Sequence, residues 1–175
     1  LLANVKSSVE LTAAKLPPVT VKQEGDLVHF NAQGITGVFN KTSGSFERLS
    51  LGTVALDNFP EPYFWRAPTD NDFGNSMPTK LGIWRSAHAN RQLQKANVKL
   101  QSDGSLKIRS AFLYTDVNMK YELEYLIKPD ANIHVSIKAQ LDEQTPELPR
   151  FGVRMSLPKE LNHLAYYGRG PEENY

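Results

Sequence analysis

Two carboxylates flank an amide in Asp70-Asn71-Asp72, a few residues beyond Arg66 and directly before Phe73 and Gly74. On an extended backbone the two aspartates project from the same side, roughly 7 Å apart at Cα. That distance tolerates a retaining glycosidase pair, whose carboxyl groups sit about 5–5.5 Å apart. The orientation does not, because acid and nucleophile must approach the scissile bond from different directions and neighbours on one short segment seldom can. The residue types suit better a turn network in which carboxylates accept hydrogen bonds from backbone amides or from the forked Arg66 guanidinium. A calcium loop also opens Asp-x-Asp, but it needs Gly at the sixth position and Glu at the twelfth. Asn75 and Leu81 occupy those positions, so the calcium match fails.

Tyr63, Phe64, Trp65 and Trp84 bring large apolar area close to this polar run. Aromatic rings pack against the apolar face of a sugar while Asp and Asn accept hydrogen bonds from its hydroxyls; the competing role for Phe64 and Trp84 is the core of a sandwich. A second stretch, Gly168-Arg169-Gly170-Pro171-Glu172, is followed by Glu173 where a dinucleotide fingerprint needs its third Gly, and it follows a strand pattern. It reads as a turn, with Arg169 available for an ion pair or a sugar hydroxyl. The histidines at 29, 88, 134 and 163 show no metal-ligand spacing, and Asn40-Lys41-Thr42 matches a glycosylation acceptor triplet of a kind that arises by chance.

These residues must be positioned by strands. Alternation of apolar and polar residues, broken by turn signals, marks three antiparallel hairpins. VTVKQ and LVHFN flank Glu24-Gly25-Asp26; NVKLQ and LKIRSAFLY flank Ser102-Asp103-Gly104; YELEYLI and IHVSIKA flank Lys128 to Asn132. Between Met77 and Gln92, Leu81, Trp84 and His88 recur at helical spacing with Pro78 in the first turn, so one short helix is expected over residues 78–91. The sum is a mainly β protein, an antiparallel β-sandwich with one short helix. Leu16-Pro17-Pro18 interrupts the strand pattern. Residues 1–16 are expected to end a preceding domain, with one domain over 17–175 that is cut short after GPEENY.

A chain of 175 residues suffices for one domain with a substantial core. Its net charge of +1 and interspersed Lys, Arg, Asp and Glu give no support for a nucleic-acid or anionic-membrane partner. No basic stretch leads into a long apolar run, so neither a signal peptide nor a membrane span is visible. The absence of Cys excludes thiol chemistry and Cys-ligated zinc but fits a cytoplasmic or a periplasmic setting equally.

FWRAPTDNDFG at residues 64–74, with YGRGPEENY at residues 167–175, resembles the signature pair of the C-terminal small-chain domain of family-2 β-galactosidases. The resemblance covers roughly residues 17–175. It implies a large antiparallel sandwich similar in fold to galactose mutarotase, set beside a TIM barrel that carries both catalytic glutamates. By the same resemblance, Asp70, Asn71, Asp72, Phe73 and Gly74 would form the rim of a galactoside pocket, with Gly74 as a hinge and Trp65, Arg66 and Arg169 supporting the motif. Phe64 and Trp65 would anchor a strand from which the polar run turns outward. The resemblance also implies a homo-oligomeric parent enzyme using Mg2+, with Na+ as a second candidate, neither bound by this chain. A substrate-stacking Trp that the family supplies after the second motif is not within these residues, nor are the barrel, its glutamates or its metal ligands. A free-standing carbohydrate-binding module is the rival from another class. An aldose epimerase of shared fold would need a His and a Glu converging on the sugar ring, and no such pair announces itself.

Overall fold

The computed structural model describes residues 16–56, 58–163 and 165. The expectation for residues 1–15, and the second motif with Arg169, lie outside the described residues.

Two antiparallel sheets form the body. The first runs in the order β1 (Thr20–Glu24), β2 (Leu27–Ala32), β3 (Ile35–Asn40), β4 (Ser45–Leu51) and β5 (Val54–Leu56). The second is ordered β10 (Ile133–Gln140), β9 (Met119–Ile127), β8 (Leu106–Tyr114) and β7 (Arg91–Leu100). A small two-stranded sheet pairs β6 (Asn58–Pro62) with β11 (Val153–Ser156). The three hairpins expected from the sequence are β1–β2, β7–β8 and β9–β10, with Glu24 opposite Leu27 around Gly25, whose φ of 60° suits a tight turn.

Alternation sets the core. On β8, Leu106, Ile108, Ser110, Phe112 and Tyr114 turn inward; on β9, Met119, Tyr121, Leu123, Tyr125 and Ile127 meet the same interior. Phe46 of β4 crosses between the sheets, its ring edge-to-face with Phe30, Phe39, Phe59 and Tyr125 at centroid distances of 4.9–5.9 Å. The two sheets also touch through a polar contact, since the buried Ser110 hydroxyl donates to the Gly44 carbonyl at 2.8 Å. Gly44 has to be glycine twice over. Its φ is 68°, and an added Cβ would lie 2.4 Å from Cδ1 of Leu93 and 3.1 Å from Cζ of Phe112.

The helical window differs in detail. It divides into α2 (Met77–Lys80), α3 (Trp84–Ala87) and a 3-10 turn at His88–Asn90, preceded by a further helical turn, α1 (Asp70–Gly74). The break falls at Gly82, which packs so close to the Pro78 carbonyl that a Cβ would stand 2.6 Å from its oxygen. Arg91 and Gln92 are not helical, because they pair across β8 with Tyr114 and Leu113. The spacing of Leu81, Trp84 and His88 nonetheless marks the inward face: Trp84 is fully buried and the other two are half-buried.

Replacing Ser110 with Ala would strand the Gly44 carbonyl in the interior, and we expect a loss of about 1–3 kcal/mol in urea unfolding. Gly44→Ala is expected to cost more than Ser110→Ala, since it adds backbone strain to a clash. Equal wild-type midpoints for both would mean that the sheets do not meet at this point.

Candidate functional site

The chain leaves β6 at Pro62 and runs without regular structure to Thr69. Phe64 and Trp65 are buried here, but they are not strand residues as the sequence suggested; side-chain packing, not ladder pairing, holds them. Phe64 sits edge-on to Trp84, Tyr114 and Tyr121 at 5.4–5.8 Å. Trp65 is capped by the Arg85 guanidinium, 4.9 Å above its ring. Trp84 donates its indole N–H to the Glu147 carbonyl at 2.8 Å. Both tryptophans are thus core and framework residues, with no face open to a sugar.

The polar run that follows is a helical turn, so the turn network expected for these residues takes helical form. Thr69 stands at its N-cap with an extended backbone, and Asp72 occupies the third helical position. From there the Asp72 carboxylate accepts from the Thr69 amide at 2.8 Å and from the Thr69 hydroxyl at 3.0 Å, which is the carboxylate half of a capping box. A helical turn rotates successive side chains by about 100°, so Asp70 and Asp72 diverge and cannot flank one bond. The helical turn gives no support to a catalytic pair.

Asp72 instead meets Arg66. The guanidinium grips the carboxylate with both terminal nitrogens, Nη2 to Oδ1 at 2.7 Å and Nη1 to Oδ2, while its Nε donates to the Pro149 carbonyl at 3.2 Å. One planar group therefore ties α1 to a loop more than seventy residues away. The Arg66 guanidinium, followed by the Thr69 amide, holds the Asp72 carboxyl down at about 2. Beside the pair an open cleft of about 290 Å³ is lined by Arg66, Asp72, Asn75, Lys80, Glu147 and Pro149, among others.

The remaining motif residues face outward. Asp70, Asn71 and Gly74 are exposed, and Phe73 is 63% exposed, an unusual position for a ring. Gly74 does not have a positive φ, and nothing lies within 4 Å of a Cβ built on it; the left-handed residue of this segment is Ser76, at φ 59°. The motif thus has a held side at Asp72 and a presented side at Asp70, Asn71 and Phe73.

Other sequence candidates find framework roles. The Asn40 side chain closes its own turn, accepting from the Thr42 amide at 2.7 Å and donating to Glu47 at 2.7 Å. His88 stacks edge-on with Tyr63 at 5.3 Å, and burial, reinforced by Arg154, pushes its imidazole toward the neutral form. His29 and His134 lie in β2 and β10 as their patterns suggested, and His163 is exposed. Among the described residues, no cluster of three or more His, Asp or Glu could hold a metal ion. No helix among them is long and apolar enough to cross a membrane.

Comparison with known proteins decides the family. The model of the family described as beta galactosidase small chain matches residues 31–175. The chain belongs to that family. It is 30% identical over 97% of its length to a beta-galactosidase of Priestia megaterium, and 32% identical over 97% to one of Lactobacillus delbrueckii subsp. bulgaricus. It spans only 16% and 18% of those two relatives. It is also 27% identical, over 77% of its length, to a beta-galactosidase small subunit of Latilactobacillus sakei, covering 49% of that protein. The TDNDFG segment lies within the part of the chain that the family model covers.

The lowered Asp72 value carries a pH dependence. A carboxyl held below its unfolded value of 3.8 stabilises the folded state fully above that pH and loses the contribution as pH falls toward about 2. Asp72→Asn should therefore unfold more easily than wild type at neutral pH, with the difference shrinking between pH 3.8 and about 2. A constant difference across that window, in denaturant titrations at fixed pH, would separate Asp72 from Arg66.

Proposed function

We propose that this chain is a non-catalytic accessory domain of a retaining, family-2 β-galactosidase that hydrolyses terminal β-D-galactosides such as lactose. In this reading Asp70, Asn71, Asp72, Phe73 and Gly74 shape the rim of the substrate pocket. The catalytic glutamates belong to a TIM barrel elsewhere in the parent enzyme. Family membership supports the enzyme class, and one structural observation supports the rim: the Arg66–Asp72 clamp fixes α1 while leaving Asp70, Asn71 and Phe73 open to solvent. A rigid base under an exposed acid, amide and ring is what a pocket edge needs in order to meet hydroxyls and the apolar face of a sugar.

A parent metal, Mg2+ or Na+, would be held elsewhere in the parent enzyme. The neighbouring domains and subunits of the parent, the barrel above all, would be the partners. The exposed Phe73 ring also favours a second reading, a carbohydrate-binding module in its own right.

Gly74 fits a hinge only in a particular sense. Its described position suits any residue, so the need for glycine would arise in a second position of the loop. If that position uses a positive φ, Gly74→Ala disfavours it by about 1–2 kcal/mol, and the loop shifts toward the described position roughly five- to thirty-fold. In the parent enzyme, affinities for a substrate and for a planar transition-state mimic should then change by different factors. The 175-residue chain alone should show no turnover of a chromogenic β-galactoside. Turnover that survives repurification, or equal shifts of both affinities, would sink the accessory-rim reading.

A further inference from the structure

The sandwich does not close evenly. Where Gly44 meets Ser110 the two sheets touch, but toward β6 they part around a cleft of about 210 Å³. Its lining includes the aromatic residues Phe46, Phe59, Phe112 and Tyr125 and the ionic residues Glu47, Arg48, Glu61 and Arg91. Phe46, Phe59 and Tyr125 form a three-ring cluster with centroids 4.9–5.1 Å apart. Phe46 and Phe59 are only partly buried, which leaves ring surface accessible at the cleft. The Tyr125 hydroxyl is committed to the Pro60 carbonyl at 2.8 Å, which steadies the wall.

The polar wall is under-used. Arg91 has five N–H donors; it makes a long 3.4 Å contact to Glu61, its guanidinium lies 5.2 Å over the Phe112 ring, and it acts at longer range on the Tyr114 hydroxyl. Its cross-strand partner, Tyr114, is fully buried with a hydroxyl that has no hydrogen-bond partner. Glu61 is shared between Arg91 and Arg154, and both Arg91 and Glu61 keep part of their surface accessible. Spare donors and acceptors thus sit beside aromatic surface in a depression smaller than a drug-sized pocket.

We infer that this inter-sheet cleft is a saccharide subsite for a single neutral pyranose ring, separate from the α1 rim. Two acids and two bases in the lining leave no net charge to select an anion or a cation. They supply donors and acceptors together, the match for hydroxyls that both give and take hydrogen bonds. Arg91 and Glu61 would engage adjacent hydroxyls, and the accessible ring surface of Phe46 and Phe59 would receive the apolar sugar face. The inference rests on this cleft alone and stands whether or not α1 lines a catalytic pocket.

The test is an NMR titration of the whole chain with methyl β-D-galactopyranoside, with open-chain sorbitol as a hydroxylated control lacking a ring face. Saturable shifts are expected at Phe46, Phe59, Arg91 and Tyr125, with binding at least tenfold weaker for sorbitol. Arg91→Leu and, keeping the shape of the acid, Glu61→Gln should each weaken the galactoside at least tenfold, while Lys138→Gln on β10 should not. Glu61→Gln remains decisive if Arg91→Leu fails to fold. Absence of saturable shifts at the cleft, equal response to sorbitol, or unchanged binding in Glu61→Gln would overturn the inference. Shifts confined to Asn71 and Phe73 would overturn it too, while leaving the rim reading intact.

Discussion

The grip of Arg66 on Asp72 is the contact on which the TDNDFG segment depends. A helix of five residues has too few internal hydrogen bonds to persist by itself. Its geometry is imposed from outside, by a carboxylate that caps the turn at Thr69 and binds a guanidinium whose remaining edge is tied to Pro149. Without that arrangement, Asp70, Asn71 and Phe73 would have no fixed direction in which to be presented.

The clamp in turn needs a platform. Phe64 and Trp65, immediately before Arg66, are buried against Trp84, Tyr114, Tyr121 and Arg85, so the arginine starts from a fixed backbone. Trp84 repeats the logic of Arg66, reaching the Glu147 carbonyl two residues from Pro149. Two side chains from one stretch thus hold the same distant loop. The platform rests on the sandwich, whose sheets meet at Gly44 and Ser110 and separate around the Phe46 cluster.

Much of this was legible in the sequence, for identifiable reasons. The hairpins announced themselves because strand alternation and turn residues are local signals. The Arg66–Asp72 contact was readable because its members are close in sequence and separated by turn-forming residues. The turn network at Asp72 was legible, but its helical form was not read, although Thr69 followed three residues later by an acid before an aromatic signals it. The helical spacing overran into Arg91 because cross-strand pairing with β8 overrides local periodicity. Glu147, Pro149 and the Glu61–Arg91 contact left no trace, since partners thirty to eighty residues apart meet only once the sheets have folded.

A double-mutant cycle on Arg66 and Asp72 tests the central claim most directly. The unfolding free energies of Arg66→Met, Asp72→Asn and the pair would be compared with that of wild type. If one ion pair organises the turn, either substitution alone forfeits most of what the double substitution forfeits, and the effects are far from additive. Additive losses would contradict the account, showing that Arg66 and Asp72 act separately and that α1 is held by something else.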